Sequence, residues 1–418
     1  MQTKLSEEFK GTTDGEEAEA ILRKCVHCGF CNATCPTYQV LGDELDGPRG
    51  RIYLIKQLLE GGEVTRSTQL HLDRCLTCRN CETTCPSGVE YGHLVEIGRR
   101  LTDERVKRPP AEQVTRWLLT EGLTSPLFAP ALKAGQMLRP LLPQVLKSKV
   151  PEGAFRQPRQ PLRASAREHP RKVLLLGGCV QPSMRPEINA ATVRVLDAAG
   201  IQTMFATGEG CCGALRTHLS DRDGGRADMR RNIDAWWPRL EDGAVEAIVM
   251  NASACSQMAK EYGYELRHDP DYAVKARRVS VLTRDLSEYL PDIALALTDR
   301  LPLSGPRVAF HAPCTLQHGQ ELCDVDALLT ALGFDVKVPA ESHLCCGSAG
   351  TYSVLHPKIA DELRDRKLGN LRPLDAECIV SANIGCIQHL QSGTTLPVKH
   401  WIEVIDEALA AGRLVARA

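Results

Sequence analysis

Apolar positions along this chain of 418 residues recur first at helical spacing and later at strand spacing. Ala18, Ile21 and Leu22 mark a short helix over 16–24. Residues 48–60 repeat apolar side chains every three or four positions and stop at Gly61-Gly62. Two more helices are predicted over 67–74 and 88–107, the second packing Val89, Leu94, Val95 and Leu101. Between Pro109 and Pro170 the pattern breaks up: helical pieces over 112–119 and 127–146 are interrupted by Pro126, Pro130, Pro140, Pro143 and Pro151. From Arg171 a strand, loop, helix order appears and then repeats. Apolar strands begin units at 172–179 and 307–314, helices end at Gly200 and Gly333, second strands cover 201–205 and 334–338, and third strands lead into 247–255 and 378–386. Such alternation implies parallel α/β packing with loops gathered at the strand C-termini.

Composition changes the picture in three ways. Residues 1–24 are charged and polar, without the apolar stretch of a signal peptide, and the 18 cysteines fall at metal-ligand spacings, so a reducing, cytoplasmic setting is expected rather than disulfides. No apolar run reaches the roughly 18 residues that would cross a bilayer. The net charge of -1 argues against nucleic acid as a partner, yet 99–172 holds 16 Lys or Arg against 6 Asp or Glu. That basic connector is read as an irregular helical linker, with contact to anionic lipid or an acidic protein as a compatible role.

The chemistry lies in the cysteines. Cys25, Cys28, Cys31 and Cys35-Pro36 are followed by Cys75, Cys78, Cys81 and Cys85-Pro86, and both runs read C-x2-C-x2-C-x3-C-P. This is the spacing of bacterial ferredoxins with two [4Fe-4S] clusters, in which the fourth cysteine of each run serves the other cluster. The expected sets are therefore Cys25, Cys28, Cys31 and Cys85 for the first cluster and Cys75, Cys78, Cys81 and Cys35 for the second. Zinc ribbons use paired C-x2-C and have no need of a third cysteine. His27, inside the first run, is expected to tune a cluster by hydrogen bonding rather than to bind iron. Small bacterial ferredoxins join their runs through β-rich segments. The helix predicted over 48–60 instead resembles the α-helical ferredoxin domain of succinate dehydrogenase iron-sulfur subunits and heterodisulfide reductases.

Each later unit places cysteines at one strand end, at a vicinal Cys-Cys-Gly, and after the third strand: Cys179, Cys211, Cys212 and Cys255 in the first, Cys314, Cys345, Cys346 and Cys386 in the second. The glycines let the backbone bend beside a ligand. The pattern resembles the CCG domain of heterodisulfide reductase-like proteins, which implies iron-sulfur binding. The C-x-x-C ending of that family is reduced here to one cysteine, with Ala252 and Asn383 at the other position, so each set of four thiols suits an iron-sulfur cluster or zinc. Cys323 and Cys378 have no counterpart and are expected to be small buried apolar residues. His311, His343 and His356 are expected to be surface or loop-stabilising histidines.

The fold class that follows is α+β multidomain: an α-helical ferredoxin domain over 1–108, a connector over 109–170, and two α/β CCG repeats with parallel sheets over 171–300 and 301–418. No G-x-G-x-x-G follows the strands and there is no P-loop, so a two-electron cofactor is expected elsewhere. This order of domains resembles the family of glycolate oxidase iron-sulfur subunits over nearly the whole length. The resemblance implies an electron-transfer subunit with no catalytic residue of its own. An FAD-containing partner would oxidise glycolate to glyoxylate, or D-lactate to pyruvate, and a quinone or other respiratory acceptor would be reached by peripheral attachment to the cytoplasmic membrane. The alternatives are an iron-sulfur subunit of a lactate or glycerol-3-phosphate dehydrogenase, a thiol-disulfide enzyme of heterodisulfide reductase type, or CCG repeats that serve only as scaffold.

Overall fold

The computed structural model describes residues 1–125, 127–141, 165, 167–301 and 305–415. The N-terminal part is helical. Thr12 caps the helix Thr13–Lys24 by accepting from the Gly15 N–H, and Thr65 caps Arg66–Asp73 through a reciprocal capping box with Thr68. Pro48 opens Pro48–Leu59 at the position where a missing N–H costs nothing. These helices and Tyr91–Arg105 bury Leu22, Ile55, Leu59, Leu72, Leu94 and Val95 in one core. The four expected helices are all present, with ends shifted by up to three residues.

The connector forms Pro110–Thr124 and Phe128–Leu138, the second shorter than expected because a 3-10 turn, Arg139–Leu141, follows it. The remainder of the expected 127–146 helix lies outside the described residues.

Two four-stranded, all-parallel sheets follow. The first contains β1 (Arg171–Leu175), β2 (Ile201–Met204), β3 (Ala247–Met250) and β4 (Thr283–Asp285) in the order β2-β1-β3-β4. The second repeats it with β5 (Arg307–Phe310), β6 (Asp335–Lys337), β7 (Cys378–Ser381) and β8 (Val398–His400), in the order β6-β5-β7-β8. The central strands β1, β3, β5 and β7 are apolar because helices cover both of their faces. The fourth strand of each sheet was not expected: three residues such as Thr283-Arg284-Asp285 are too few and too polar to carry a strand signal.

The repeats share one core, which joins the helix Pro186–Ala198 to Trp401–Val415, with Arg194 paired to Asp406 at 2.6 Å at its margin. Both repeats clasp the helical part. His93 stacks on Tyr264 at 3.9 Å and His218 meets Glu96 at 3.0 Å from the first repeat. The Tyr352 hydroxyl donates to the Arg74 carbonyl at 3.0 Å from the second.

Candidate metal centres

The two N-terminal cysteine runs take the same backbone path. His27 and Thr77, the residues before the second cysteine of each run, have φ of 61° and 51°, and Gly29 and Arg79 have φ of 87° and 59°. These left-handed turns fold three thiols inward within seven residues. Arg99 fixes the second run from behind, donating to the carbonyls of Leu72 at 3.0 Å and of Cys75 at 2.5 Å.

Two pockets result. One, of about 450 Å³, is bordered by Cys25, Cys28, Cys31 and Cys85 together with Cys81. The other, of about 290 Å³, is bordered by Cys35, Cys75, Cys78 and Cys81. Each wall thus mixes three cysteines of one run with the last cysteine of the other. Burial, then the charge of Cys25, pushes the Cys31 thiol up to about 11, and burial holds Cys78 and Cys81 well above the ordinary thiol range. Sulfurs that resist ionising together suit a shared cationic centre, whose charge lets all of them bind as thiolates. An iron-sulfur donor set fits these residues.

The surroundings differ. Around the first pocket Cys28 is exposed, and Val26 and Phe30 stand 70% and 62% exposed. His27 is exposed on its border, and among the described residues no hydrogen bond joins its ring to a sulfur. None of the cysteines that border the second pocket is exposed. Arg51, with no exposed surface, lies on its wall between Asp46 and the cysteines, donating to the His71 carbonyl at 2.7 Å and to the Thr37 hydroxyl at 3.1 Å. Burial works against the Arg51 charge, but Tyr91, Cys75, Cys35 and Asp46 outweigh it and hold the guanidinium ionised. Sequence reading missed Arg51, which looks there like any polar residue of an amphipathic helix.

Leu76 and Cys78 pack against Cys314, Cys345 and Tyr352, so the second pocket abuts the thiols of the second repeat. Asn80 donates to the carbonyls of Thr34 and His343 at 3.0 and 3.1 Å, tying both runs to that repeat. His318 bridges the Thr83 hydroxyl at 3.0 Å and the His343 carbonyl at 2.9 Å.

In both repeats the four expected thiols meet where the strands end. Cys179, Cys211, Cys212 and Cys255 form a chain of neighbours, as do Cys314, Cys345, Cys346 and Cys386, with Cys314 and Cys345 at 3.9 Å. The N–H groups of Gly213 and Gly347 donate to Cys211 and Cys345 sulfurs at 3.5 and 3.4 Å. Both glycines have positive φ, of 93° and 88°, and a Cβ would lie 2.9 Å from the Gly225 carbonyl oxygen or 2.4 Å from that of Ala360. In the first repeat Cys179 and Cys212 hold Cys211 well below the ordinary thiol value, whereas all four thiols of the second repeat are raised.

The positions that lack a cysteine have structural work. Ala252 is buried, and Asn383 caps Ile384–Gln391 while donating to the Ser253 hydroxyl at 3.3 Å, where the two repeats meet. Cys378 is buried in β7 as expected. Cys323 is not: it is exposed, because it lies in a loop beside Glu321, Asp324 and Asp326 rather than under a sheet. His343 is exposed and His356 leads into Pro357–Leu371, in keeping with loop roles. His311 departs from expectation. It is 1% exposed, at the end of β5 and against Cys346 and Cys386, because the strand carries it into the sheet edge where the thiols gather.

The 4Fe-4S dicluster domain family matches residues 21–89, and the cysteine-rich domain family matches 173–260 and 308–391. The chain is 53% identical over 413 residues to the glycolate oxidase iron-sulfur subunit of Escherichia coli, covering 98% of this chain and 99% of that one. It is 30% identical over 418 residues to a protein of Bacillus subtilis named as a probable glycolate oxidase iron-sulfur subunit, covering 93% and 92%. A lactate utilization protein A of Geobacillus kaustophilus is 26% identical over 245 residues, 56% of this chain and 98% of that one.

Proposed function

This chain belongs to the family of glycolate oxidase iron-sulfur subunits, and we propose that it is the electron-transfer subunit of a glycolate-oxidising complex, working beside an FAD-containing partner that oxidises glycolate or a related 2-hydroxy acid such as D-lactate. The observation that carries this reading is the pair of adjoining pockets whose cysteines are drawn from both runs. Cys25, Cys28, Cys31 and Cys85 would hold one [4Fe-4S] cluster, and Cys75, Cys78, Cys81 and Cys35 the other. When bound, such clusters supply one-electron carriage.

What the chain itself contributes is position and shielding. Cys81 and Tyr91 border both pockets and fix the two sites side by side. The second repeat covers one pocket, and the open border of the other, at Val26, His27 and Phe30, gives an electron donor a place to approach. The thiol sets of the two repeats would hold further metal, as iron-sulfur or zinc. The division of labour follows 1–108, 109–170, 171–300 and 301–418.

Among the described residues no helix is long and apolar enough to cross a membrane. Val114, Trp117 and Leu118 are exposed on one connector helix and Met137 and Leu138 on the next, within the basic stretch. This face would rest on anionic lipid at the cytoplasmic membrane and bring the chain to a quinone or another respiratory acceptor.

The test is anaerobic purification with co-purifying partners, followed by iron, sulfide, zinc and flavin analysis and EPR of the reduced sample. Flavin is expected only in the partner; about eight irons per chain would fit the two N-terminal clusters alone, and about twelve or sixteen would place clusters in one or both repeats as well. Flavin bound stoichiometrically to the isolated chain would refute the reading.

A further inference from the structure

Overlaying the repeats by their strands places His311 of the second opposite Leu176 of the first, since Leu175-Leu176-Gly177-Gly178-Cys179 corresponds to Phe310-His311-Ala312-Pro313-Cys314. Leu176 is 3% exposed and packs in the core of its repeat. The architecture therefore does not need an imidazole at this place. His311 is nevertheless 1% exposed, and neither ring nitrogen has a hydrogen-bond partner among the described residues. An orphaned buried imidazole is costly unless something absent from the polypeptide satisfies it. Its backbone N–H donates to the Val380 carbonyl at 2.8 Å, which locks the residue at the strand end.

One ring nitrogen of His311 and the sulfurs of Cys346 and Cys386 all lie within 4.8 Å of one another, and all three residues are buried. Around a single tetrahedral zinc, with bonds of about 2.3 Å to sulfur and about 2.0 Å to nitrogen, neighbouring donors stand roughly 3.5–4 Å apart. The three atoms need only a small contraction to reach that spacing. A cubane spreads its ligands over different irons, and imidazole is a common zinc ligand.

We propose that His311 is a metal ligand and that, with Cys346 and Cys386, it makes the second repeat a mixed nitrogen-sulfur site for one zinc-class divalent cation. This rests on the reading that the thiols of the second repeat hold a metal. The fourth position falls to Cys345, the neighbour of Cys346, or to Cys314, 3.9 Å from Cys345. Zinc with one imidazole and three thiolates carries a net negative charge. Lys367 balances it: 2% exposed, it donates to the carbonyls of Glu341 and Ser342 at 2.6 and 3.4 Å, close to Cys345 and Cys346. The first repeat, with Leu176 in place of the imidazole, stays all-sulfur, so the two repeats would differ in metal.

The test uses the full chain purified anaerobically with its partners. Metal analysis should find one zinc per chain, and zinc-edge X-ray absorption should show a nitrogen donor beside the sulfurs. A His311→Leu variant, which copies the first repeat, should lose zinc at least tenfold while keeping the iron of the N-terminal pockets. His311→Cys should regain zinc with an all-sulfur shell. Full zinc retention in His311→Leu, or a sulfur-only shell in the unaltered chain, would overturn the proposal. Iron beyond eight per chain, no zinc, and no change in His311→Leu would also overturn it while leaving a metal in the repeats; no metal beyond eight irons would remove both. Should His311→Leu fail to fold, the X-ray absorption of the unaltered chain decides.

Discussion

At Arg51 a guanidinium without exposed surface is held between Asp46, at 3.5 Å, and the thiols of the second pocket. Replacing it with methionine keeps the bulk and removes the charge. Asp46 would retain Arg74 at 2.8 Å and His71 at 3.0 Å, so a loss of about 3 kcal/mol is expected, the lower end for breaking a buried pair. Urea unfolding checks it. Gly347→Ala should be worse tolerated than Gly213→Ala, since its Cβ would approach a carbonyl oxygen at 2.4 Å against 2.9 Å. Positive φ alone costs roughly 1–3 kcal/mol, and the closer contact adds to that. His400 gives the pH dependence. Burial pushes its imidazole down from 6.5 to about 3, so below pH 6.5 the unfolded chain takes up a proton that the folded chain refuses until near pH 3. Its stabilising share is complete above pH 6.5 and declines as pH falls toward 3, by about 2 kcal/mol at pH 5. A His400→Leu variant should show a shallower fall in unfolding midpoint between pH 7.5 and 5. The cysteines were legible residue by residue because ligand spacing is local. His311 was not, for an isolated histidine looks the same in a sequence whether it faces water or sulfur.

Elements were legible in proportion to how much apolar surface they bury. β1, β3, β5 and β7 read clearly because both faces are covered, and β4 and β8 did not because their polar residues complete a sheet edge. The connector is the opposite case, since its helices expose apolar residues rather than burying them. Glu112 and Arg116 tie Pro110–Thr124 to Arg66 and Asp73, and Glu121 ties it to Arg216 of the first repeat at 2.7 Å. This leaves Trp117 and Leu118 facing outward, 61% and 55% exposed. Changing both to serine should cut sedimentation with anionic lipid vesicles several-fold while leaving thermal stability within about 0.5 kcal/mol, as is usual for exposed positions. Unchanged sedimentation would dissociate this face from lipid.

Over the whole molecule the contacts between the helical part and the repeats were invisible in advance. Asn80 with His343 and Tyr352 with Arg74 join positions more than 250 residues apart through a side chain and a carbonyl, and no spacing rule reports such a bond. Tyr352→Phe removes one of them and should cost about 1 kcal/mol, read as faster hydrogen exchange of the amides around Cys75 and Cys78.

The unequal cover of the two N-terminal pockets has a consequence for how the protein ages in air. Oxidants reach the exposed Cys28 directly, whereas Cys75 is buried and Cys78 packs against Tyr352 and Cys314. With a cluster in each pocket, as proposed, damage should come in sequence, with an early survivor that has lost the outer centre and kept the inner one. A cell that repairs its iron proteins would meet a half-finished molecule more often than an empty one.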